Sequence, residues 1–378
     1  MAVSIVGQFN LQKHFGGGEV FTQFLCYALD ELGIQTILFI DSNASFWSKL
    51  DLPESTKILP VSGKHLSSNF FKDLQWIIGH GPLPKSLLSL NRNLIFTAIA
   101  HMPVQGRDPW VYLGHDMVFP VSKWVMQGLR LDVCPIWNDP LYGISNLELR
   151  SNKLTKIIKN SSYDWDERKI RDKILKILEK PFRPLLPKNK FVKRFGITIG
   201  IVSRITPIKQ FPDLFKIISP VIKKYPLINI EIFGSGGYAS IRDLKKSLSP
   251  IKKQVRFWGH QNNVQLVYKQ LDFVLSGLPE KEALGLNLIE AQSLNVPVLA
   301  INSPPFTETV VDKKTGYLFI DPRDDKAKDF SLVLELITST KEKLNPLQYY
   351  KHLEKFTHSS LVGRLRYIIR WVNKQKIQ

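Results

Sequence analysis

Short runs of branched and aromatic apolar residues recur along this chain, each followed by a longer stretch with helical spacing. In the first part the runs are VSIVG at 3–7, TILFI at 36–40, WIIG at 76–79, LIFTAIA at 94–100 and MVFPV at 117–121. A helix is expected near 19–32, and another opens at SKWVMQGL, 122–129, with Ser122 at the N-cap position. Continuous apolar runs suit strands buried on both faces, and their alternation with helices implies a parallel sheet wound by helices.

A second series of the same kind follows. ITIGIVS at 197–203 is a strand, a helix spans about 211–224, and INIEIFGSGG at 228–237 is a strand running into a glycine turn. VRFWG at 255–259, DFVLSG at 272–277 and VPVLAI at 296–301 continue the series, with a helix between the last two. Between the two series the composition changes: residues 150–194 hold 15 Lys or Arg against 5 Asp or Glu. The stretch PFRPLLPKNKFVKRFG at 181–196, with three prolines, reads as a connector. A length of 378 residues also favours two domains over one. The expected division is 1–185, 186–355 and a closing helix over 356–378, with Leu361, Leu365, Ile368, Ile369 and Val372 along one side.

The formal charge of +19 points to polyanionic surroundings, so nucleic acid, anionic lipid and phosphorylated substrates all stay open. No aromatic-basic recognition motif or helix-turn-helix signal supports specific nucleic-acid binding. Cys26 and Cys134 cannot make a disulfide framework, which favours a reducing, cytoplasmic compartment and a place in the core for both. The N-terminal MAVSIVGQFN reads as a first strand and not as a signal peptide, and no run of 18 apolar residues is long enough to span a bilayer.

Ligands of doubly wound sheets bind outside the carboxyl ends of the strands, so the loops after those strands carry the candidates. Gly16, Gly17 and Gly18 stand between the first strand and its helix, where backbone N–H groups and the helix dipole favour an anion; a purely structural turn fits equally well. Arg204 and Lys209 follow the strand at 197–203, with Pro207 between them. They suit a diphosphate, or they are two solvated cations among many. Glu282 and Glu290 lie eight positions apart with Gly285 between. If a helix starts near Gly285, both carboxylates can face one cleft and accept from sugar or ribose hydroxyls, while the N–H groups from Gly285 through Leu286 to Asn287 can take a phosphate. Capping roles are the alternative for the carboxylates. His80 and His101 each end a strand; His80 is a candidate on the acceptor side.

The strand followed by E-A-L-G-L-x-L-I-E-A, then N-V-P-V-L-A and T-G-Y-L-F at 315–319, resembles the Glu-x7-Glu region of retaining family-4 glycosyltransferases of the GT-B fold. Arg204 and Lys209 match that family's diphosphate-binding pair, FGSGG its glycine turn at Gly234, and VRFWGH, ending in His260, the strand beside the nucleobase. GGGE and LIFTAIAHMP extend the similarity to about residues 1–350.

The resemblance implies two Rossmann-like domains facing across a cleft, acceptor in the first and nucleotide sugar in the second, with the closing helix packed back on the first. It implies that Glu290 binds the donor ribose, that Glu282 contacts the donor sugar near its 3-hydroxyl, that Arg204 and Lys209 hold the diphosphate, and that His101 faces the sugar. Neither a divalent metal nor a further cofactor is implied, and no convincing His cluster argues otherwise. The expected activity is transfer of a hexose-type sugar to an acceptor hydroxyl with retention. A nucleotide-sugar epimerase, a phosphorylase-like enzyme and a basic nucleic-acid-binding protein are the alternatives. The acceptor is expected to be lipid-linked or another glycan, met at the inner face of an anionic membrane. Three positions depart from the family pattern: Ser203, Gln210 and Asn295 stand where glycine is usual.

Overall fold

A computed structural model describes residues 3–13, 16–61, 71, 74–89, 94–103, 108–145, 156–165, 170, 172–174, 177, 190–340 and 343–375. The chain forms two compact units, one of Met1–Ser145 with Glu354–Gln378 and one of Asn146–Leu353.

The first unit is built on six parallel strands, β1 (Ile5–Asn10), β2 (Gln35–Asp41), β3 (Thr56–Val61), β4 (Trp76–Gly79), β5 (Ile95–Ala100) and β6 (Met117–Pro120), in the order β3-β2-β1-β4-β5-β6. β4 and β5 are buried along their whole length, as uninterrupted apolar runs require. Thr97, the polar interruption in β5, is satisfied: its hydroxyl donates to the Ile77 carbonyl at 3.0 Å and accepts from Trp76 Nε1 at 2.9 Å. Helix α1 (Gly17–Glu31) follows β1, and α2 (Lys123–Gln127) is capped by Ser122 Oγ, which accepts from the Val125 amide at 3.0 Å. β3 escaped the sequence reading because it is an edge strand, half exposed and holding Pro60, which such a strand tolerates.

The closing helix, His358–Gln375, packs against α1, and Asn373 Oδ1 accepts from the Val3 amide at 2.8 Å. Leu361, Val362, Leu365, Ile368 and Val372 are buried there, while Ile369 is half-buried. At about 1.5–3 kcal/mol for each fully buried aliphatic side chain, this face belongs to the core of the first unit and is not free for a lipid surface. Among the described residues no helix is long and apolar enough to cross a membrane.

The second unit repeats the plan with β7 (Ile197–Val202), β8 (Ile228–Phe233), β9 (Val255–Gly259), β10 (Phe273–Leu275), β11 (Val298–Ile301) and β12 (Gly316–Phe319), ordered β12-β11-β10-β7-β8-β9. Its helices include α3 (Phe211–Ile222), α4 (Val264–Tyr268) and α5 (Leu286–Ser293). Phe211, Phe215 and Ile218 of α3 share one core with Ile199, Ile201 and Ile230 of the sheet.

The division between the units falls near residue 145 and not at 185. Segment 156–165 is bonded into the second unit: the Asn160 amide donates to the Trp258 carbonyl at 2.9 Å, and the Gly236 amide to the Ser162 carbonyl at 3.0 Å. Most of the expected connector, 181–189, lies outside the described residues, but its end is docked as well. Arg194 and Arg256 both pair with Glu231, at 2.9 and 2.6 Å, and Trp258 Nε1 donates to the same carboxylate at 2.6 Å. Glu231 is wholly buried, so these partners supply what water would otherwise give the charge. Lys193 is likewise paired, with Asp272 at 2.9 Å.

Candidate functional site

In each sheet the strand order reverses at one place, between β1 and β4 in the first unit and between β7 and β10 in the second. A crevice at the carboxyl ends is expected at such a switch point. The residues anticipated from sequence divide between the two: Gly16–Gly18, His80 and His101 in the first unit, the remainder in the second.

In the second unit three loops meet at the switch point. The loop after β7 carries Ser203, Arg204 and Lys209; the loop after β8 carries Gly234; the loop after β10 runs from Ser276 to Gly285. Gly234 has φ +147, and a Cβ there would lie 1.8 Å from the Ser203 carbonyl oxygen, so only glycine lets these two loops touch. The Leu278 amide donates to the Lys209 carbonyl at 3.3 Å, fastening the third loop to the first. Lys209 and Glu282, 73 positions apart in sequence, form an ion pair, both largely shielded from solvent. Arg204 is exposed on the same loop as Lys209.

Gly285, at φ +84, is the N-cap of α5, with Leu286 and Asn287 in its first turn, as expected. The first N–H groups of a helix have no partner within it, so these backbone donors are suited to an anion. Glu290 lies one turn in. Its Oε2 is 2.9 Å from the hydroxyl of Tyr268, which is also 3.1 Å from the Asn287 carbonyl. Tyr268 was missed in the sequence, although a tyrosine in an apolar run near a strand end must bring its hydroxyl to a partner once buried. His260 is exposed after β9, and its carbonyl accepts from Asn160 Nδ2 at 2.7 Å.

Among the described residues no group of three or more His, Cys, Asp or Glu is placed to hold a metal. One pair of carboxylates was passed over in the sequence: Asp164 and Asp166, two positions apart. The Asp164 amide donates to the Gly236 carbonyl at 2.9 Å, beside the FGSGG turn, while Asp166 lies outside the described residues.

In the first unit Gly16 is the N-cap of α1, with an extended backbone, and Gly17 and Gly18 form its first turn. His80 and His101 come together, which the sequence reading did not anticipate. His80 Nδ1 lies 3.1 Å from His101 Nε2, and the rings stack at 5.3 Å. Burial pushes His101 down to about 4 and His80 well below the ordinary histidine value, with the neighbouring His101 adding to the effect on His80. Both are therefore neutral at pH 7. Cys26 and Cys134 are buried free thiols, raised by burial to about 12 and about 11, too high for a reactive thiolate.

The family described as Glycosyl transferases group 1 matches residues 186–351. An uncharacterized glycosyltransferase of Haemophilus influenzae is 33% identical over 157 residues, 41% of this chain and 43% of that protein. A GDP-mannose-dependent monoacylated alpha-(1-6)-phosphatidylinositol monomannoside mannosyltransferase of Corynebacterium glutamicum is 29% identical over 173 residues, 42% of this chain and 44% of that one. The chain thus spans less than half the length of these curated relatives in the matched region. Among solved structures, Anabaena HepE in complex with UDP superposes with a TM-score of 0.69 at 14% identity, covering 97% of this chain and 100% of that chain, a likeness of fold. Residues 186–351 thus resemble the glycosyl transferases group 1 family, within a chain that has the two Rossmann-like sheets of the GT-B fold.

Proposed function

We propose that this protein transfers a hexose-type sugar from a nucleotide-sugar donor to an acceptor hydroxyl, with retention of anomeric configuration and without a divalent metal. The observation that carries the reading is the β7/β10 switch point, where the Lys209–Glu282 pair ties the loop of Arg204 and Lys209 to the loop leading into α5, the helix that carries the Tyr268-held Glu290.

In this reading Glu290 accepts from the donor ribose hydroxyls, and the first amides of α5 with Arg204 and Lys209 take the diphosphate. Glu282 meets the sugar near its 3-hydroxyl; for His101, in the first unit, the family resemblance implies contact with a sugar hydroxyl. As the glycosidic bond breaks, negative charge grows on the leaving diphosphate. Cations already fixed there stabilise that charge more than the ground state, which accelerates the step. UDP bound to HepE supports a nucleotide donor, and the corynebacterial relative's phosphatidylinositol-mannoside substrate supports a lipid-linked acceptor at a membrane surface.

The test is slow hydrolysis of UDP-, GDP- and ADP-sugars, with the first-formed free sugar followed by NMR. One donor class should be cleaved, and the product should keep the donor's anomeric configuration. Inverted product would overturn retention; an epimerised donor or phosphate-dependent cleavage would replace the transferase with one of its alternatives.

A further inference from the structure

The first unit's switch point holds a buried polar chain that glycosyl transfer as described does not require. Gln8, on β1, has no exposed surface. Its amide nitrogen is directed to Thr36 Oγ1 and Cys26 Sγ, each at 3.5 Å, and its oxygen lies 2.9 Å from His80 Nε2. An amide oxygen only accepts, so His80 carries its hydrogen on Nε2 and presents a lone pair at Nδ1.

The partner of that lone pair is His101 Nε2, 3.1 Å away. Two lone pairs at this distance would repel, so the hydrogen between the rings sits on His101 Nε2. Thr22 Oγ1 is also 3.1 Å from His80 Nδ1, but its hydroxyl donates to the Gly18 carbonyl at 2.9 Å and accepts from Asn10 Nδ2 at 2.9 Å. Phe21 meets the His101 ring edge-on at 5.3 Å, which holds its orientation. The direction of every donor along Gln8, His80 and His101 is thereby set from inside the fold.

We propose that Gln8 and His80 are positioning residues that lock His101 in its Nε2–H tautomer, so that His101 Nδ1 is kept as an acceptor and selects a hydroxyl group of the ligand. The inference rests on the reading that His101 meets a sugar hydroxyl. The opposite tautomer would offer an N–H at the same place and suit a carbonyl or phosphate oxygen instead. The lock therefore bears on specificity as well as on orientation.

The experiment is 15N NMR of the histidine-labelled full chain at neutral pH, with the two rings assigned from His80→Gln and His101→Gln. His101 should show a protonated Nε2 and an unprotonated Nδ1. Gln8→Leu removes the terminal acceptor and should leave His101 populating both tautomers. Gln8→Glu, whose carboxylate still accepts from His80 Nε2, should restore the wild-type pattern, a rescue that a merely space-filling role would not give. With the nucleotide sugar that the wild type hydrolyses fastest among UDP-, GDP- and ADP-sugars, kcat/KM should fall about tenfold in Gln8→Leu and recover in Gln8→Glu. A hydrogen on His101 Nδ1 in the wild type, or an unchanged tautomer in folded Gln8→Leu, would overturn the lock; unchanged kcat/KM alongside an altered tautomer would overturn its part in specificity. The tautomer is read without any donor, so failure of the lock and failure of glycosyl transfer are separate results.

Discussion

The hydroxyl of Tyr268 lies 2.9 Å from Glu290 Oε2, so a wholly buried tyrosine on α4 fixes a carboxylate on the first turns of α5. A hydrogen bond to a charged group is worth about 1.5–3 kcal/mol, and here it holds the side chain proposed to grip the ribose.

Tyr268→Phe should therefore weaken nucleoside diphosphate binding by roughly tenfold, in the same direction as Glu290→Ala and by less, since one hydrogen bond is lost and not the carboxylate. Glu282→Ala should instead cost turnover, because Glu282 is assigned to the reacting sugar. Calorimetric affinity and steady-state rates measured on the same variants separate these effects. Wild-type affinity in Glu290→Ala would remove it from the site.

Arg204→Ala and Lys209→Ala should each lose on the order of 2–4 kcal/mol of transition-state stabilisation, and the double variant less than the sum. Lys209 is already paired with Glu282, so removing either leaves the other's charge uncompensated. EDTA should not affect the wild type. If EDTA abolished activity while the cation variants kept it, a metal, with Asp164 and Asp166 as the first residues to test, would be holding the diphosphate.

The histidine pair gives the first unit an acid-sensitive core. In the unfolded chain each ring titrates near 6.5, whereas folded His101 is lowered to about 4 and His80 is lowered too. Below pH 6.5 the unfolded state takes up protons that the folded rings refuse, so their stability is whole above that pH and is lost as pH falls toward 4. Urea midpoints should drop between pH 7.5 and 5, with a shallower slope in His101→Gln. Equal slopes in both proteins would assign the acid sensitivity elsewhere.

Much of the fold was legible because both sheets are made of buried parallel strands, whose continuous apolar runs stand out. β3 was not, since an edge strand lacks that run, and the boundary at 145 was not, since the docking of Asn160 and Ser162 on the second sheet depends on long-range backbone bonds. The helix start at Gly285 followed from spacing, whereas the roles of the carboxylates and cations came from the family resemblance. Tyr268 and the His80–His101 contact depend on which helices and strands become neighbours, which no local spacing states. The departures Gln210 and Asn295 acquire a physical meaning in the structure. Their φ values are +51 and +62, the left-handed region where glycine carries no steric cost, so the usual glycines there answer to backbone and not to ligand.

The proposal of peripheral attachment to anionic membranes rests on exposed cations. Arg366, Arg370 and Lys374 lie on the exposed side of the closing helix at intervals of four; most of the basic stretch 150–194 lies outside the described residues. Each basic residue near such a surface contributes about 1 kcal/mol. Co-sedimentation should occur with anionic vesicles at low salt, fade at high salt and be absent with neutral vesicles. No binding to anionic vesicles at low salt would return the charge to a solubility role.

The central claim is that the second unit binds a nucleotide sugar through Arg204, Lys209 and Glu290, and thermal stabilisation by nucleoside diphosphates and their sugars tests it most directly. A ligand at one hundred times its dissociation constant adds about 2.7 kcal/mol of stability. The account predicts that one nucleotide class raises the melting temperature of the wild type, and that the rise is largely lost in Arg204→Ala, Lys209→Ala and Glu290→Ala. No response to any nucleotide, or an equal rise in all three variants, would contradict it.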